Sequence, residues 1–130
     1  MIGTIDFQLN GKPVRLAVDG ERKLLTGASR GIGAAIARRL AADGHPVIIN
    51  YRANAAAAAE VKASIEAAGG EATLAEFDVA DRGATESAIA ELLKDERPIG
   101  ILVNNAGIVR DAAFPAMSWE AWDAVIRTTL

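Results

Sequence analysis

The stretch TGASRGIG at Thr26–Gly33 decides the fold, because it joins the short apolar run Lys23–Thr26 to an amphipathic helix. Gly27 permits a tight turn out of the strand, Gly31 lets the backbone approach a pyrophosphate, and Gly33 lets the helix lie close to the sheet. The amides of the first helical turn then point at the phosphate, where the helix dipole favours negative charge. An accidental glycine-rich turn is the alternative, but the strand before and the helix after this motif favour a phosphate-binding loop.

The sequence around this loop alternates short apolar runs with segments of helical periodicity. Between Gly31 and Ala42 apolar residues recur at helical spacing, and Gly44 follows where a helix C-terminus is expected. Such alternation predicts right-handed crossovers and a parallel sheet. We therefore predict an α/β fold of the Rossmann type, a doubly wound parallel sheet of about four strands in the order 3-2-1-4. The predicted strands are Lys23–Thr26, Pro46–Asn50, Ala72–Phe77 and Ile99–Val103, and the predicted helices are Gly31–Ala42, Asn54–Ala68, Asp81 to about Lys94, and Ser118–Leu130.

The residues before this alternation have a different pattern. Ile5–Leu9 and Pro13–Val18 alternate apolar and polar residues around an Asn-Gly pair, which predicts an antiparallel hairpin. Pro13 indicates that the second strand begins at a sheet edge. We therefore predict an N-terminal hairpin extension over residues 1–21 and a nucleotide-binding domain over residues 22–130.

Composition excludes several kinds of site. The 130-residue chain has no Cys and a single His, His45, so disulfides, thiolate nucleophiles and sulfur-ligated or His-rich metal sites are excluded. Its net charge of −3 does not indicate the positive charge that nucleic-acid-binding domains carry. No apolar run reaches the roughly 20 residues of a membrane span, and the first residues do not form a secretory signal pattern. We expect a cytoplasmic protein without a metal, with no nucleic-acid partner and no membrane contact.

Two arginines bear on the choice of dinucleotide. An acid after the second strand of such a sheet would bond the ribose 2′-hydroxyl of NAD, whereas an arginine accommodates the 2′-phosphate of NADP. This chain has the sequence Asn50-Tyr51-Arg52 there, without a nearby acid, and Arg30 in the glycine loop can supply a second cation. A guanidinium also matches phosphate oxygens better than an ammonium does. Solvated surface charges are the alternative for both arginines, but the missing acid favours NADP(H) as the cofactor.

Further motifs accompany the glycine loop. Together with it, Asp78-Val79 and the NNAG stretch Asn104–Gly107 resemble the classical short-chain dehydrogenase/reductase family. Within that family, TGASRGIG, NYR and LVNNAGIVRD are most similar to the 3-oxoacyl-(acyl-carrier-protein) reductases, and the resemblance runs from about Arg22 to Leu130. It implies NADPH-dependent reduction of a 3-oxoacyl thioester, carried on a small molecule or on an acyl carrier, to the 3-hydroxyacyl form. We also expect a homo-oligomer or a self-associating chain.

The resemblance implies cofactor contacts along all of these motifs. The resemblance implies that Arg52 contacts the 2′-phosphate and that Asp78 and Val79 lie at the adenine. It also implies that Asn105–Gly107 lie beside the ribose and the central strand. Without the resemblance, Asp78 would be interpreted as a helix-start or turn acid, and Asn104-Asn105 as a turn after a strand. The predicted cofactor-binding residues are Gly27, Ala28, Ser29, Arg30, Gly31, Ile32, Gly33, Arg52, Asp78, Val79, Asn105, Ala106 and Gly107.

The chain departs from the family at its catalytic positions. The family's catalytic serine and its Tyr-x-x-x-Lys pair lie beyond the point where this chain stops, and the resemblance assigns proton donation to that tyrosine. Tyr51, the only tyrosine present, lies at the adenosine end of the expected cofactor site. Thr129 falls where the family has an asparagine, which makes it a weak catalytic candidate. Two hypotheses therefore stay open: an oxidoreductase completed by further residues, and a catalytically dead nucleotide-binding or structural fragment.

The N-terminal extension has a resemblance of its own. Residues 7–25 faintly resemble the opening hairpin of plant-type 2Fe–2S ferredoxin-like domains. Because the chain has no Cys, it cannot hold such a cluster. An added hairpin without catalytic meaning is the alternative, and it is the interpretation we favour.

Overall fold

A computed structural model describes residues 4–9, 12–17, 21–110 and 112–129 of the chain. Strands and helices alternate from residue 22 onward, in the manner that the sequence predicts. In chain order the elements are β1 (Thr4–Leu9), β2 (Lys12–Ala17), β3 (Arg22–Leu25), α1 (Gly31–Ala42), β4 (Val47–Tyr51), α2 (Ala55–Ala67), β5 (Ala72–Glu76), α3 (Arg82–Leu92), β6 (Ile99–Val103), a 3-10 turn (Phe114–Ala116) and α4 (Trp119–Thr129).

The main sheet contains four parallel strands in the order β5-β4-β3-β6. Numbered among themselves, these strands have the predicted order 3-2-1-4, so the predicted fold class is confirmed. The register pairs Leu24 with Ile48 and Leu25 with Ile49 across β3 and β4. The strand bounds shift slightly from the prediction, since β4 includes Tyr51 and begins one residue later than expected.

The hairpin forms a separate two-stranded sheet. β1 pairs antiparallel with β2, and Thr4 lies opposite Ala17 at one end and Leu9 opposite Lys12 at the other. The sequence predicts Pro13 as the first residue of its strand, whereas in the structure it is the second residue of β2. A two-stranded sheet tolerates this because each strand is an edge with one unpaired side. The predicted end of this strand at Val18 lies outside the described residues, and the domain division at residue 21 stays a prediction.

The two faces of the main sheet bury separate cores. Leu25, Ile49 and the neighbouring apolar strand residues pack under α1 and α2, whose buried contacts come mostly from alanine and β-branched side chains. On the opposite face, Leu24 and Ile48 form a smaller core that α3 covers with partly buried residues. This arrangement of helices on both faces is the layer order expected for a doubly wound sheet. It leaves the carboxyl ends of the strands free to form a site.

The β6 side of the sheet is less covered. In the four-stranded sheet β6 is an outer strand, and its Leu102 side chain is 54% exposed. Helix α4 leaves Trp119 73% exposed, with Trp122 and Ile126 also open to solvent. The sequence predicts that these three α4 residues lie on one side of a helix, and their spacing in α4 fits that prediction. Both β6 and α4 thus expose large apolar side chains.

The amino end of β3 differs from the apolar strand that the sequence predicts. Arg22 and Lys23 are both buried there, and only 1% of the Lys23 surface is exposed. The Arg22 guanidinium is satisfied, because its Nε donates to the Arg97 carbonyl at 2.9 Å and Nη2 donates to the Leu92 carbonyl at 2.6 Å. Lys23 Nζ lies 3.6 Å from Glu21 Oε2 and has no hydrogen-bond partner among the described residues. A buried cation of this kind normally destabilises a fold.

Candidate functional site

The glycine loop after β3 adopts a backbone that only glycine accommodates easily. Gly27 has a φ of +61° and Gly31 a φ of +56°, both in the left-handed region. A Cβ added at Gly27 would lie 2.9 Å from Ala106 Cα, whereas one added at Gly31 would meet nothing within 4 Å. Gly27 is therefore required by both packing and backbone, whereas Gly31 is favoured by its backbone alone and has open space in front of it.

Gly33 is required by packing alone. A Cβ at this position would lie 2.5 Å from Asn105 Nδ2 and 2.7 Å from the Gly27 carbonyl oxygen. Because those contacts are shorter than real Cβ atoms tolerate, a larger residue would push the first turn of α1 away from the sheet. The close approach of helix and sheet predicted for this glycine thus has a direct geometric basis.

The amino terminus of α1 is open to an anion. Arg30 is the N-cap residue, its side chain makes no capping hydrogen bond, and the first turn contains no acidic residue. The Ala34 amide is bonded to the Arg30 carbonyl at 3.2 Å, so the amides of residues 31–33 precede the first bonded turn. Unsatisfied amides and a positive helix dipole at one point form a suitable phosphate site.

Two polar residues that the sequence analysis had not assigned to the site hold the strand ends together. Thr26 Oγ1 accepts hydrogen bonds from the amides of Asn105 and Ala106, both at 2.9 Å. Buried Asn50 accepts from the Gly27 amide at 3.1 Å through Oδ1, and its Nδ2 donates to the Phe77 carbonyl at 2.9 Å. These bonds connect strand β4 with the loops after β3, β5 and β6. Both residues could have been found by asking which polar side chains end the buried strands.

A cleft of about 400 Å³ opens at these strand ends. Of the predicted cofactor-binding residues, all except Ala28 line it. Ala28 is fully buried in the core beneath α1, and its amide donates to the Asn50 carbonyl at 2.9 Å, so its side chain points away from the cleft. Thr129 lines a smaller neighbouring cavity of about 200 Å³ instead. Additional cleft residues include Tyr51, Asn54, Phe77 and Thr128.

Charged side chains line the cleft. Arg52 is 64% exposed, and its Nη1 is 3.7 Å from Asp78 Oδ2. Arg30 contributes a second exposed guanidinium to the same cleft. Two cations beside an open helix terminus favour an anionic ligand.

Tyr51 is unsuited to proton donation. Burial raises the pKa of its hydroxyl above the usual range, and the negative charge of Glu76 raises this pKa further. The hydroxyl also lies 3.3 Å from Glu76 Oε2, to which it donates a hydrogen bond. A tyrosine that acts as a general acid near neutral pH needs a lowered pKa, so Tyr51 does not fit that role.

Within the described ranges, no group of three or more His, Asp or Glu side chains is arranged to hold a metal ion. Among the helices that the structure describes, none is long and apolar enough to cross a membrane.

Comparison with known proteins gives consistent similarities. A family model described as short chain dehydrogenase matches residues 22–130. Gluconate 5-dehydrogenase from Gluconobacter oxydans is 41% identical over 118 residues, covering 91% of this chain and 46% of the relative. The 3-oxoacyl-(acyl-carrier-protein) reductase of a Synechocystis strain is 44% identical over 114 residues, covering 88% of this chain and 46% of the relative. The chain thus spans about half the length of these relatives.

The likeness extends to three dimensions. The crystal structure of a gluconate 5-dehydrogenase from Burkholderia cenocepacia, in complex with NADP and tartrate, superimposes with a TM-score of 0.76. The two sequences are 41% identical, and the match covers 85% of this chain and 43% of that chain. The family model matches the region from β3 onward, and the structural match covers 85% of the chain.

Proposed function

The chain belongs to the short-chain dehydrogenase family, and on that premise we propose that residues 22–130 form the NADP(H)-binding half of a reductase that transfers hydride to a ketone. The observation that carries this proposal is the convergence, in one cleft, of the open amino terminus of α1 with Arg52 and Arg30. A bound nicotinamide cofactor would supply the hydride. The protein would supply binding and orientation.

The residues of the cleft fit a dinucleotide with an extra phosphate. We assign the pyrophosphate to the amides at the start of α1, since Gly31 leaves the space in front of them open. We assign the 2′-phosphate to Arg52, with Arg30 as a second cation, and the adenine to the side of the cleft formed by Asp78 and Val79. The NADP-bound Burkholderia structure supports this choice of cofactor.

The substrate follows from the resemblance and from one relative. We propose a 3-oxoacyl thioester, on a small molecule or on an acyl carrier, because the motifs are most similar to those of 3-oxoacyl-(acyl-carrier-protein) reductases and the Synechocystis relative carries that name. A place in fatty acid synthesis and a cytoplasmic site of action belong to the same proposal. Self-association is also proposed, and the exposed Leu102 and Trp119 support it.

Nucleotide binding without turnover is the second candidate function. The observation in its favour is Tyr51, the only tyrosine in the sequence, whose hydroxyl bonds Glu76 and has a raised pKa. On this view the polypeptide binds the cofactor, and any proton donor must come from elsewhere.

One pair of assays separates these functions. NADPH is titrated into the chain by fluorescence, and NADPH oxidation is then followed with an acetoacetyl thioester. We expect saturable binding and no turnover from this polypeptide alone. Turnover would favour the complete reductase and show that the proton comes from a group we have not identified. Failure to bind NADPH would contradict both functions.

A further inference from the structure

A fixed carboxylate lies in the cleft beside the cation that we assign to the 2′-phosphate. Asp78 Oδ1 accepts a hydrogen bond from the Ala80 amide at 2.9 Å. The Asp78 carbonyl accepts from the Asp81 amide at 3.0 Å and from Thr85 Oγ1 at 3.3 Å. Because both its side chain and its backbone are bonded, Asp78 cannot easily turn away from the cleft.

Sheet geometry brings Arg52 to this carboxylate. Tyr51 and Glu76 are register partners on the parallel strands β4 and β5, and each strand continues directly into the loop that carries one member of the pair. Arg52 Nη1 and Asp78 Oδ2 lie 3.7 Å apart, which is an ion pair but too long for a hydrogen bond. Arg52 is the more exposed partner, so it is the one that can adjust to a ligand.

The sequence rule for cofactor choice considers only an acid after the second strand of the sheet. In this fold an acid reaches the same place from the loop after the neighbouring strand β5. A 2′-phosphate carries about −1.5 to −2 charge near neutral pH. If it binds Arg52, it must approach the negative charge of Asp78 and compete with it for the guanidinium.

We propose that Asp78 is a specificity-determining residue that limits the preference of this site for NADPH over NADH through its ion pair with Arg52. This inference rests on the proposed function, because it presupposes that Arg52 receives the 2′-phosphate. The carboxylate would repel the 2′-phosphate, whereas the ribose hydroxyl that NADH carries there is uncharged and is not repelled. Any contact that Asp78 makes with the adenine is common to both cofactors and cancels in the ratio of their dissociation constants.

The test is the change Asp78→Asn in the full chain. Asparagine keeps the shape of the side chain and an oxygen acceptor for the Ala80 amide, and it removes the charge. Kd is measured for NADPH and for NADH by direct titration. We expect the ratio Kd(NADH)/Kd(NADPH) to rise about threefold or more, as expected for removal of one like charge near a solvent-exposed anion. The rise should shrink in high salt, which screens exposed charges.

Asp81→Asn is the matched control. Asp81 Oδ1 also accepts a hydrogen bond from a nearby backbone amide, that of Ala84, at 2.9 Å. It undergoes the same loss of charge only three residues away, yet it does not line the cleft. We expect it to leave the Kd ratio unchanged. If Asp78→Asn does not fold, Asp78→Ser, which retains a short acceptor, is measured in the same way.

The outcomes distinguish the two proposals. A wild-type chain that prefers NADPH, with a ratio that stays constant or falls in Asp78→Asn, would overturn the role of Asp78 alone. A fall would mean that the carboxylate holds Arg52 in place for the phosphate rather than opposing it. A wild-type chain that binds neither cofactor, or binds NADH as well as NADPH, would overturn the assignment of Arg52 and with it the inference.

Discussion

The two ends of strand β3 differ in the hydrogen bonding of their polar side chains. At the carboxyl end, Thr26 Oγ1 accepts hydrogen bonds from two backbone amides, and Asn50 and Asn105 form hydrogen bonds with the glycine loop. At the amino end, Lys23 Nζ is buried near Glu21 without a hydrogen bond in the described part of the chain. One end is pre-organised for an anionic ligand, whereas the other carries a desolvated ammonium that lies 3.6 Å from a carboxylate oxygen. Function and stability can therefore be altered separately at opposite ends of one strand.

The largest effect is expected for Gly31→Val at the carboxyl end. A branched side chain would fill the open space before the α1 amides, so binding of NADPH and NADH should become unmeasurable, a loss of about a hundredfold or more. Gly44→Val is the matched control, because Gly44 also has a positive φ, of +89°, and no atom within 4 Å of an added Cβ. Both variants should lose similar stability in a denaturant titration, but only Gly31→Val should lose binding. Retained NADPH affinity in folded Gly31→Val would remove the phosphate-loop assignment.

The next effect concerns charge at the same end. Arg52→Asp should weaken NADPH binding about tenfold or more and change NADH binding much less, because a charge-assisted contact contributes on the order of 1.5–3 kcal/mol. Arg82→Asp serves as the control, since Arg82 is an exposed arginine paired with Glu86 on α3 and away from the cleft. Direct titration of both cofactors measures the effect. Equal losses for NADPH and NADH would mean that Arg52 does not bind the 2′-phosphate.

At the amino end the expected effect is a gain in stability. The double change Glu21→Gln and Lys23→Met removes the charge pair between partly buried Glu21 and buried Lys23, whose ammonium has no hydrogen bond among the described residues, so the free energy of unfolding should rise by about 1 kcal/mol or more. Lys23→Met alone should gain less, because it leaves the Glu21 carboxylate without its cation. Urea unfolding of the three proteins measures the difference, and NADPH affinity should stay constant. A double variant less stable than wild type would show that the pair is structurally required.

The smallest effect is a pH dependence at the amino end. A hydrogen bond from Arg97 is the main cause that lowers the pKa of Glu71, and another lowers the pKa of Asp95. A carboxyl group whose pKa is lowered by folding stabilises the folded state at pH values above its usual pKa. This stabilisation is lost as the pH falls through the lowered pKa. Arg97→Gln should therefore be slightly less stable than wild type at pH 7 and should approach it near pH 3. A difference in unfolding midpoint that stays constant over this range would contradict the assignment.

The sequence predicts the carboxyl end of the sheet better than the amino end. The strand order and the cleft follow from TGASRGIG and from the strand–helix alternation, because both are local patterns with strong geometric consequences. The burial of Arg22 and Lys23 is not predictable locally, since it depends on tertiary contacts such as those of the Arg22 guanidinium with the carbonyls of Leu92, at the end of α3, and Arg97, before β6. The side-chain direction of Ala28 and the approach of Asp78 to Arg52 depend likewise on the packing of neighbouring strands. Sequence position alone therefore finds the loops of the site but not every side chain that lines it.

Cofactor choice by the unmodified chain tests the central claim most directly. NADPH and NADH are titrated into the full chain under identical low-salt conditions, and the two dissociation constants are compared. If Arg52 and Arg30 receive a 2′-phosphate beside the open terminus of α1, NADPH should bind about tenfold more tightly, and added salt should reduce the difference. Equal dissociation constants, or tighter binding of NADH, would contradict the account.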